Sequence, residues 1–370
     1  MIPMNDFQRQ WLDTRDAAVA AFEAVGSSGW YVLGDEVREF EMALARYWGL
    51  DCAVGVASGL DAIEISLRVL ECKPGDRVIT SPLSAFATTL AIVRVGAVPV
   101  YVDCDASGMV DLDLARDALR GDASIRYCVP VHLYGNALDP DKLAALGEEF
   151  GCTIVEDCAQ SIGATHRGRA TGSVGRMAAT SFYPTKNLGA LGDGGAVLTP
   201  DEQLASAARM WRDYGQSGKY CHQVIGYNSR LDELHAAILR RVYLKRLDWW
   251  IQRRREIAAA YSRGITNPAI TTLGIPPDSN PACHLYPVLA PPDRKADFMR
   301  WLRSQGVGSG EHYPILAPDQ PAMEGIDFRV VGELDNAQRI CRSEVSLPIH
   351  PYLKPEEIAR VVEVCNAWRG

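Results

Sequence analysis

Several patterns that assign a sequence to a common class are absent from this chain. Its ten cysteines include no C-x-x-C pair and its seven histidines no H-x-x-x-H spacing, so we assign no metal site. No apolar run is long enough to cross a bilayer, and residues 1–6 lack the basic and then apolar layout of a secretion signal. Because several cysteines lie inside apolar runs, we expect buried free thiols in a cytoplasmic protein with no membrane partner.

The charge balance excludes one further class of partner. The chain has 38 basic and 46 acidic residues, and this net charge of −8 disfavours binding to nucleic acid. Neither the P-loop pattern nor the glycine fingerprint of dinucleotide-binding folds is present. A small anionic ligand in a local pocket is compatible with this composition.

Short apolar runs alternate with helical patterns through most of the chain. This alternation predicts an α/β fold with a mostly parallel sheet that is flanked by helices on both faces. The predicted strands are Cys52–Val56, Val78–Ile79, Val98–Val102, Arg126–Val131, Cys152–Glu156 and Gly195–Thr199. Catalytic side chains are therefore expected at the carboxyl ends of these strands.

The length of 370 residues predicts two domains. We expect a large α/β domain over residues 1–250 and a smaller α+β domain over residues 251–370. One long helical pattern, Leu231–Ser262, is predicted to connect them.

The strongest functional signal lies in the stretch Ala178–Ala196. A strand-like run leads to Pro184, a single lysine follows at Lys186, and four glycines precede the next strand. Glycines permit close approaches that a Cβ would forbid, and loops at strand ends hold the ligands of α/β proteins. The alternative is a solvated lysine on a surface turn, which the apolar flanks disfavour.

Three weaker signals precede Lys186 in the chain. Asp157 follows a buried strand, although it could serve only as a helix N-cap. Ser58 and Gly59 open a helix after a strand, where backbone N–H groups bind anions, although Ser58 could be a plain N-cap. Phe86 follows the next strand and could simply belong to the core.

These four signals together fit one cofactor. An anion-binding turn, an aromatic residue, a carboxylate at a strand end and a lysine suit the phosphate, ring face, pyridine nitrogen and aldehyde of pyridoxal phosphate. The arrangement therefore predicts an enzyme that uses pyridoxal 5′-phosphate.

The chain resembles the DegT/DnrJ/StrS family of sugar aminotransferases, which are fold type I pyridoxal-phosphate enzymes. The resemblance extends from Gly29 to Pro348. The matching segments are Ser58–Ala62, Lys73–Asp76, Val131–Gly135, Glu156–Gln160, Ser181–Gly189, Gly192–Ala196, Gly226–Glu233 and His312–Pro314. Their joint occurrence in this order is highly specific.

The resemblance implies a role for each matching residue around the cofactor. Lys186 would form the Schiff base and then move a proton between substrate and cofactor. Asp157 would keep the pyridine nitrogen protonated, Gln160 would lie near the ring hydroxyl, and Phe86 would stack on the ring. The phosphate would be held by four residues, namely Ser58, the amides of Gly59 and Leu60, and Ser181.

The resemblance also implies shared active sites in a homodimer. Asn228 matches a position that reaches the cofactor phosphate of the neighbouring subunit. His312 and Tyr313 match the lining of the sugar-nucleotide pocket, although a purely structural His-Tyr-Pro turn is the alternative.

The resemblance implies a reaction that moves the amino group of L-glutamate to a nucleotide-linked keto-sugar by way of the pyridoxamine 5′-phosphate form of the cofactor. Many relatives have Thr where this chain has Leu60, and the Gly-Leu-Asp-Ala form resembles the subgroup that aminates C3 of dTDP-linked keto-6-deoxyhexoses. Amination at C4 and action on a keto-cyclitol or another carbocycle are the alternatives. Related dehydratases have His at the position of Lys186, which argues against deoxygenation. A nicotinamide oxidoreductase and a non-catalytic cofactor-binding regulator are disfavoured by the missing glycine fingerprint and by the presence of both Lys186 and Asp157.

Overall fold

Twelve α-helices and sixteen strands make up the fold. The computed structural model describes residues 1–370. The helices are α1 (Phe7–Ser28), α2 (Asp35–Trp48), α3 (Gly59–Val69), α4 (Phe86–Arg94), α5 (Leu112–Gly121), α6 (Pro140–Phe150), α7 (Glu202–Arg212), α8 (Glu233–Ile238), α9 (Leu247–Gly264), α10 (Lys295–Ser304), α11 (Asp335–Ser343) and α12 (Pro355–Ala367). The strands are β1 (Cys52–Val56), β2 (Arg77–Thr80), β3 (Val98–Val102), β4 (Ile125–Val129), β5 (Thr153–Asp157), β6 (Thr165–His166), β7 (Arg169–Ala170), β8 (Met177–Ser181), β9 (Gly195–Thr199), β10 (Gln216–Gly218), β11 (Cys221–His222), β12 (Thr271–Thr272), β13 (Ser279–Asn280), β14 (Tyr286–Leu289), β15 (Arg329–Val331) and β16 (Glu344–Leu347). No helix is both long and apolar enough to cross a membrane.

The central sheet has eight strands in the order β1-β9-β8-β5-β4-β2-β3-β15. Only β9 runs against its neighbours; the pairs from β8 to β15 are all parallel. The predicted fold class, a mostly parallel sheet flanked by helices, is confirmed. Because β1 and the parallel strands point the same way, their carboxyl ends lie along one edge of the sheet.

Successive side chains of the central strands enter different cores. On β5, Ile154 packs with α5 and α6 residues such as Leu119 and Leu146, whereas Val155 packs with α3 and α4 residues such as Ile65 and Ile92. Side chains alternate between the two faces of a strand, so both faces are covered by helices. This double burial explains why these strands are nearly continuous apolar runs.

The last third of the chain forms a smaller antiparallel sheet, β12-β14-β16, against α9, α10 and α12. Its core includes the fully buried side chains of Tyr261 and Phe298. One strand of this region, β15, instead extends the central sheet beside β3. The division into residues 1–250 and 251–370 stays a prediction.

The first helix ends at Ser28, where Gly29 follows with a φ of 66°. One element differs from that expected. The long connecting helix is divided: a π-helical turn at Leu239–Tyr243 and a 3-10 turn at Leu244–Arg246 separate α8 from α9. The sequence pattern missed this change because such turns keep the apolar residues on one face.

Candidate active site

The predicted site residues collect at the carboxyl edge of the central sheet. The sheet register places Val56, Gly195 and Ser181 in one row across β1, β9 and β8. Asp157 ends β5, which is the next strand. This edge is where open α/β sheets bind ligands.

A close contact between α3 and β8 builds the predicted phosphate cradle. A Cβ on Gly59 would lie 2.7 Å from the Cβ of Ser181, and one on Gly195 would lie 2.4 Å from the carbonyl carbon of Ser58. Only glycines permit this approach. The Ser58 hydroxyl accepts a hydrogen bond from the Asp61 amide at 3.1 Å, while the Gly59 and Leu60 amides precede the first hydrogen bonds of the helix. Amides and hydroxyls at a helix N-terminus suit a phosphate.

Asp157 is a buried carboxylate with fixed orientation. Its side chain is 4% exposed; one oxygen accepts a hydrogen bond from the Thr88 hydroxyl at 2.8 Å and the other from the Ala159 amide at 3.0 Å. Thr88 lies in the first turn of α4, which begins at the partly buried Phe86. The structure therefore brings Phe86 to the same edge as Asp157.

Lys186 presents a free amine to this carboxylate. Its backbone N–H donates to the carbonyl of Tyr183 at 2.8 Å, whereas its Nζ makes no hydrogen bond within the chain. Burial lowers the pKa of the Lys186 amine to about 8, and the nearby charge of Asp157 opposes this shift. A larger fraction of the amine is therefore neutral, and nucleophilic, near neutral pH.

Gln160 links the central sheet to the C-terminal region. Its side-chain oxygen accepts a hydrogen bond from the Tyr134 amide at 2.6 Å, and its amide nitrogen donates to the Tyr313 hydroxyl at 3.1 Å. Burial raises the pKa of Tyr313 above its ordinary value, with the charge of Asp157 contributing. Tyr313 therefore presents a neutral phenol to the site.

His312 lies close enough to Lys186 for the two charges to interact. Burial lowers the pKa of His312 to about 4, and the charge of Lys186 lowers it further. The imidazole lines a cavity of about 270 Å³ together with Thr185 and His284. A neutral ring thus faces a space beside the reactive amine.

Asn228 is the one predicted site residue that the single chain leaves apart. Its side chain is exposed and makes no hydrogen bond, although the next residue, Ser229, contacts the Ala57 amide and Asp61 beside the phosphate cradle. Its role toward a neighbouring subunit stays a prediction.

Two residues near the site were missed by the sequence analysis. Thr88 holds Asp157, and the buried His284 lies close enough to Lys186 for the lysine charge to lower its pKa, after the larger effect of burial. The position of Thr88, two residues after Phe86 in the helix, was the only signal for the first. The sequence carries no signal for the second, since it lies in an ordinary apolar segment.

One buried group of possible metal ligands is engaged in other contacts. Ligand atoms of His132, Glu156 and Cys158 lie within 4.8 Å of one another. The Glu156 carboxylate, however, accepts hydrogen bonds from three backbone amides at 2.7–2.8 Å and contacts the His132 ring at 2.8 Å. These contacts fix the loop that follows β7.

The residues at this edge fit pyridoxal phosphate. The cradle at Gly59 matches its phosphate, the Asp157 carboxylate matches its pyridine nitrogen, and the partly desolvated Lys186 amine matches its aldehyde. The fold and the site together define a pyridoxal-phosphate enzyme.

Comparisons with known proteins give the family. The profile of the DegT/DnrJ/EryC1/StrS aminotransferase family matches residues 13–366. A dTDP-3-amino-3,4,6-trideoxy-alpha-D-glucose transaminase of Streptomyces venezuelae is 40% identical over 371 residues, covering 99% of this chain and 96% of that protein. The crystal structure of S. venezuelae DesV superposes with a TM-score of 0.94 at 40% identity, over 99% of this chain and 98% of that one. The structure of ntda from Bacillus subtilis with bound cofactor PMP has a TM-score of 0.87 at 28% identity, over 95% and 81% of the two chains.

The chain belongs to the DegT/DnrJ/EryC1/StrS aminotransferase family. The predicted aminotransferase activity and the predicted cofactor, pyridoxal phosphate, are confirmed. The roles assigned to individual residues stay predictions.

Proposed function

We propose that the protein transfers the amino group of L-glutamate to C3 of a dTDP-linked keto-6-deoxyhexose. The observation that carries the proposal is the partly desolvated Lys186 amine, which is near enough to the Asp157 carboxylate and to the His312 ring to affect the pKa of His312 and to be affected by Asp157. The name of the S. venezuelae relative, which places an amine at C3 of a dTDP-linked sugar, supports the choice of substrate.

Each side chain has a distinct task in this proposal. Pyridoxal phosphate, when bound, would supply an electron sink and carry the amino group from donor to acceptor. Lys186 would hold the cofactor, and its amine, with a lowered pKa, would exchange a proton with the substrate carbon. Asp157 provides the negative charge that keeps a pyridine nitrogen protonated, and Thr88 orients it.

The acceptor sugar is proposed to bind between the sheet edge and the C-terminal region. His312 offers an imidazole to the cavity of about 270 Å³ that Thr185 and His284 also line, and the next residue, Tyr313, offers a phenol beside Gln160. A small number of polar side chains at a cavity can orient a hydroxylated ligand. The nucleotide would extend away from the reacting carbon.

A substrate panel tests the reaction. The protein loaded with pyridoxal phosphate is incubated with L-[15N]glutamate and with dTDP-linked 3-keto and 4-keto 6-deoxyhexoses, a UDP-linked keto-sugar and a keto-cyclitol. We expect 15N at C3 of the dTDP-linked product, detected by NMR, and no transfer by Lys186→Ala. The matched control Lys142→Ala removes an exposed lysine that pairs only with Asp113 and should retain activity. Labelling at C4, or of the cyclitol alone, would overturn the proposed substrate.

We further propose a homodimer with shared active sites in the cytoplasm. The exposed Asn228 and the exposed hairpin of β10 and β11 are available to a second copy, and Tyr220 in this hairpin is 83% exposed. All ten cysteines are free, which is usual in a reducing compartment.

Mixing two inactive variants tests the sharing of sites. Lys186→Ala and Asn228→Ala chains, unfolded and refolded together, should regain activity because a mixed dimer contains one site with neither change. A mixture that stays as inactive as its components would contradict the shared site. The sedimentation coefficient of the parent protein reports the dimer separately.

A further inference from the structure

A chain of hydrogen bonds connects the His312 ring to a carboxylate in the interior. His312 Nδ1 lies 2.9 Å from the Ser346 hydroxyl, and this hydroxyl donates to Glu344 Oε1 at 2.5 Å. The other oxygen, Oε2, accepts a hydrogen bond from the backbone N–H of His312 at 2.6 Å. Glu344 and Ser346 are both fully buried on β16. No sequence motif singled out either residue.

The number of protons available to this row of hydrogen bonds fixes the direction of each bond. A charged carboxylate can only accept, so the single proton of the Ser346 hydroxyl is used toward Glu344. The hydroxyl oxygen must then accept from the histidine, which places the ring proton on Nδ1. The other ring nitrogen, Nε2, is left with a free lone pair.

The free nitrogen belongs to the substrate cavity. The only hydrogen bond of the His312 ring within the protein is made by Nδ1, and the ring lines the 270 Å³ cavity with Thr185 and His284. The backbone around the ring is held as well: the Tyr134 hydroxyl donates to the His312 carbonyl at 2.7 Å, and Gly310 pairs with Ser346. The ring orientation is therefore set from several directions.

We propose that Glu344 and Ser346 are positioning residues that hold His312 as a hydrogen-bond acceptor, so that its Nε2 receives a hydroxyl proton of the keto-sugar substrate. The identity of the hydroxyl donor rests on the proposed function, whereas the direction of the hydrogen bonds does not. The arrangement selects a sugar that offers a donor at this point over one that offers only acceptors.

The electrostatics of the surrounding elements agree with this assignment. Burial raises the pKa of Glu344 to about 7, against the opposing effects of the His312 amide, Ser346 and the Lys295 charge. Lys295, on α10, also pairs with Glu311 at 2.7 Å, and the charge of Glu311 raises the pKa of Glu344. The carboxylate is thus charged in mildly alkaline solution, where the histidine ring is neutral.

An isosteric variant reverses the chain of bonds. In Glu344→Gln, the side-chain amide oxygen must face the backbone N–H of His312, because this N–H can only donate a hydrogen bond. The NH₂ group then donates to Ser346, and the hydroxyl proton turns to Nδ1 of the ring. The ring proton must move to Nε2, so the group facing the cavity becomes a donor.

The ring tautomer is measured directly by 15N NMR of protein labelled at its seven histidines, with His312→Asn for assignment. We expect a bare Nε2 in the parent at pH 8, a protonated Nε2 in Glu344→Gln, and a mixture of tautomers in Ser346→Ala. The control Glu148→Gln changes an exposed acid on α6 and should leave the spectrum unchanged. An unchanged His312 tautomer in Glu344→Gln would overturn the proposal.

Separate half-reactions test the consequence for the substrate. In Glu344→Gln, kcat/KM for the keto-sugar should fall about 10- to 100-fold, mainly through KM, as expected for a lost buried hydrogen bond. The half-reaction with L-glutamate and the melting temperature should stay near those of the parent. A reversed tautomer with unchanged sugar kinetics would refute the contact with the sugar. If the parent itself aminates no keto-sugar, the proposed function fails while the NMR result still decides the direction of the bonds.

Discussion

Replacing Gly59 with alanine probes the phosphate cradle with a single methyl group. The new Cβ would lie 2.7 Å from the Cβ of Ser181 and 3.2 Å from its hydroxyl oxygen. Carbon atoms pack at about 3.5–4.0 Å, so α3 and β8 must separate by roughly 1 Å. The backbone at residue 59 lies outside the left-handed region, so the effect is purely steric.

The cost of this change follows from two opposing effects. Overpacking a tight contact costs about 1–3 kcal/mol, whereas the higher helix propensity of alanine stabilises the helix by up to about 1 kcal/mol relative to glycine. We therefore expect the free energy of unfolding to fall by about 1–2 kcal/mol. The separation also pulls the Ser181 hydroxyl away from the Gly59 amide, and losing one charged hydrogen bond to a phosphate weakens binding about 10- to 100-fold.

Two measurements check this prediction. Urea unfolding of the cofactor-free protein gives the stability change, and absorbance titration gives the dissociation constant for pyridoxal phosphate. Gly121→Ala is the matched control, because a Cβ there meets nothing within 4 Å at the end of α5. Parent affinity for the cofactor in Gly59→Ala would refute the placement of the phosphate between α3 and β8.

Three further predictions concern the charged centre of the site. Thr88→Val removes the 2.8 Å hydrogen bond to the buried Asp157 and should lower the free energy of unfolding by about 1–3 kcal/mol, measured in urea; an unchanged stability would contradict the contact. Lys186→Met should raise the stability of the cofactor-free protein at pH 7 by up to about 3 kcal/mol, because the folded-state pKa is lowered from 10.5 to about 8. The cost of burying the charged Lys186 amine is fully present below pH 8 and disappears above the pKa of the unfolded state. The stability gain of Lys186→Met should therefore vanish near pH 11, and a gain that is constant with pH would contradict burial of the charge as its cause. Asp157→Asn should lower the Lys186 pKa further, measured as the pH midpoint of amine acetylation in cofactor-free protein; an unchanged midpoint would show that the two charges do not interact.

The sequence predicts the parts of the site that follow from strand order. Asp157, Ser181 and the turn at Ser58 all follow strands of one sheet, and parallel strands bring such ends to one edge. The alternation of strands and helices was enough to predict this. The lysine was marked by its glycine-rich flanks.

The interior support of the site was outside the reach of sequence patterns. Glu344 and Ser346 lie on β16, where all four residues are buried and no alternation between polar and apolar faces appears. A charged residue in such a strand is stable only because two donors reach it, namely Ser346 and the His312 amide. Ser346 is two residues from Glu344 on the same strand, but the His312 amide reaches the carboxylate only through a tertiary contact between residues 32 positions apart. The contact of Thr88 with Asp157 likewise depends on how α4 is placed against the sheet.

The visible spectrum of the purified protein with pyridoxal phosphate, before and after L-glutamate, tests the central claim most directly. We predict a yellow band from the lysine-bound cofactor that is lost on addition of L-glutamate, and no such band in Lys186→Ala before the addition. A bound cofactor whose spectrum never changes with L-glutamate would contradict the proposed transamination. A yellow band that persists in Lys186→Ala would contradict the assignment of the reactive amine.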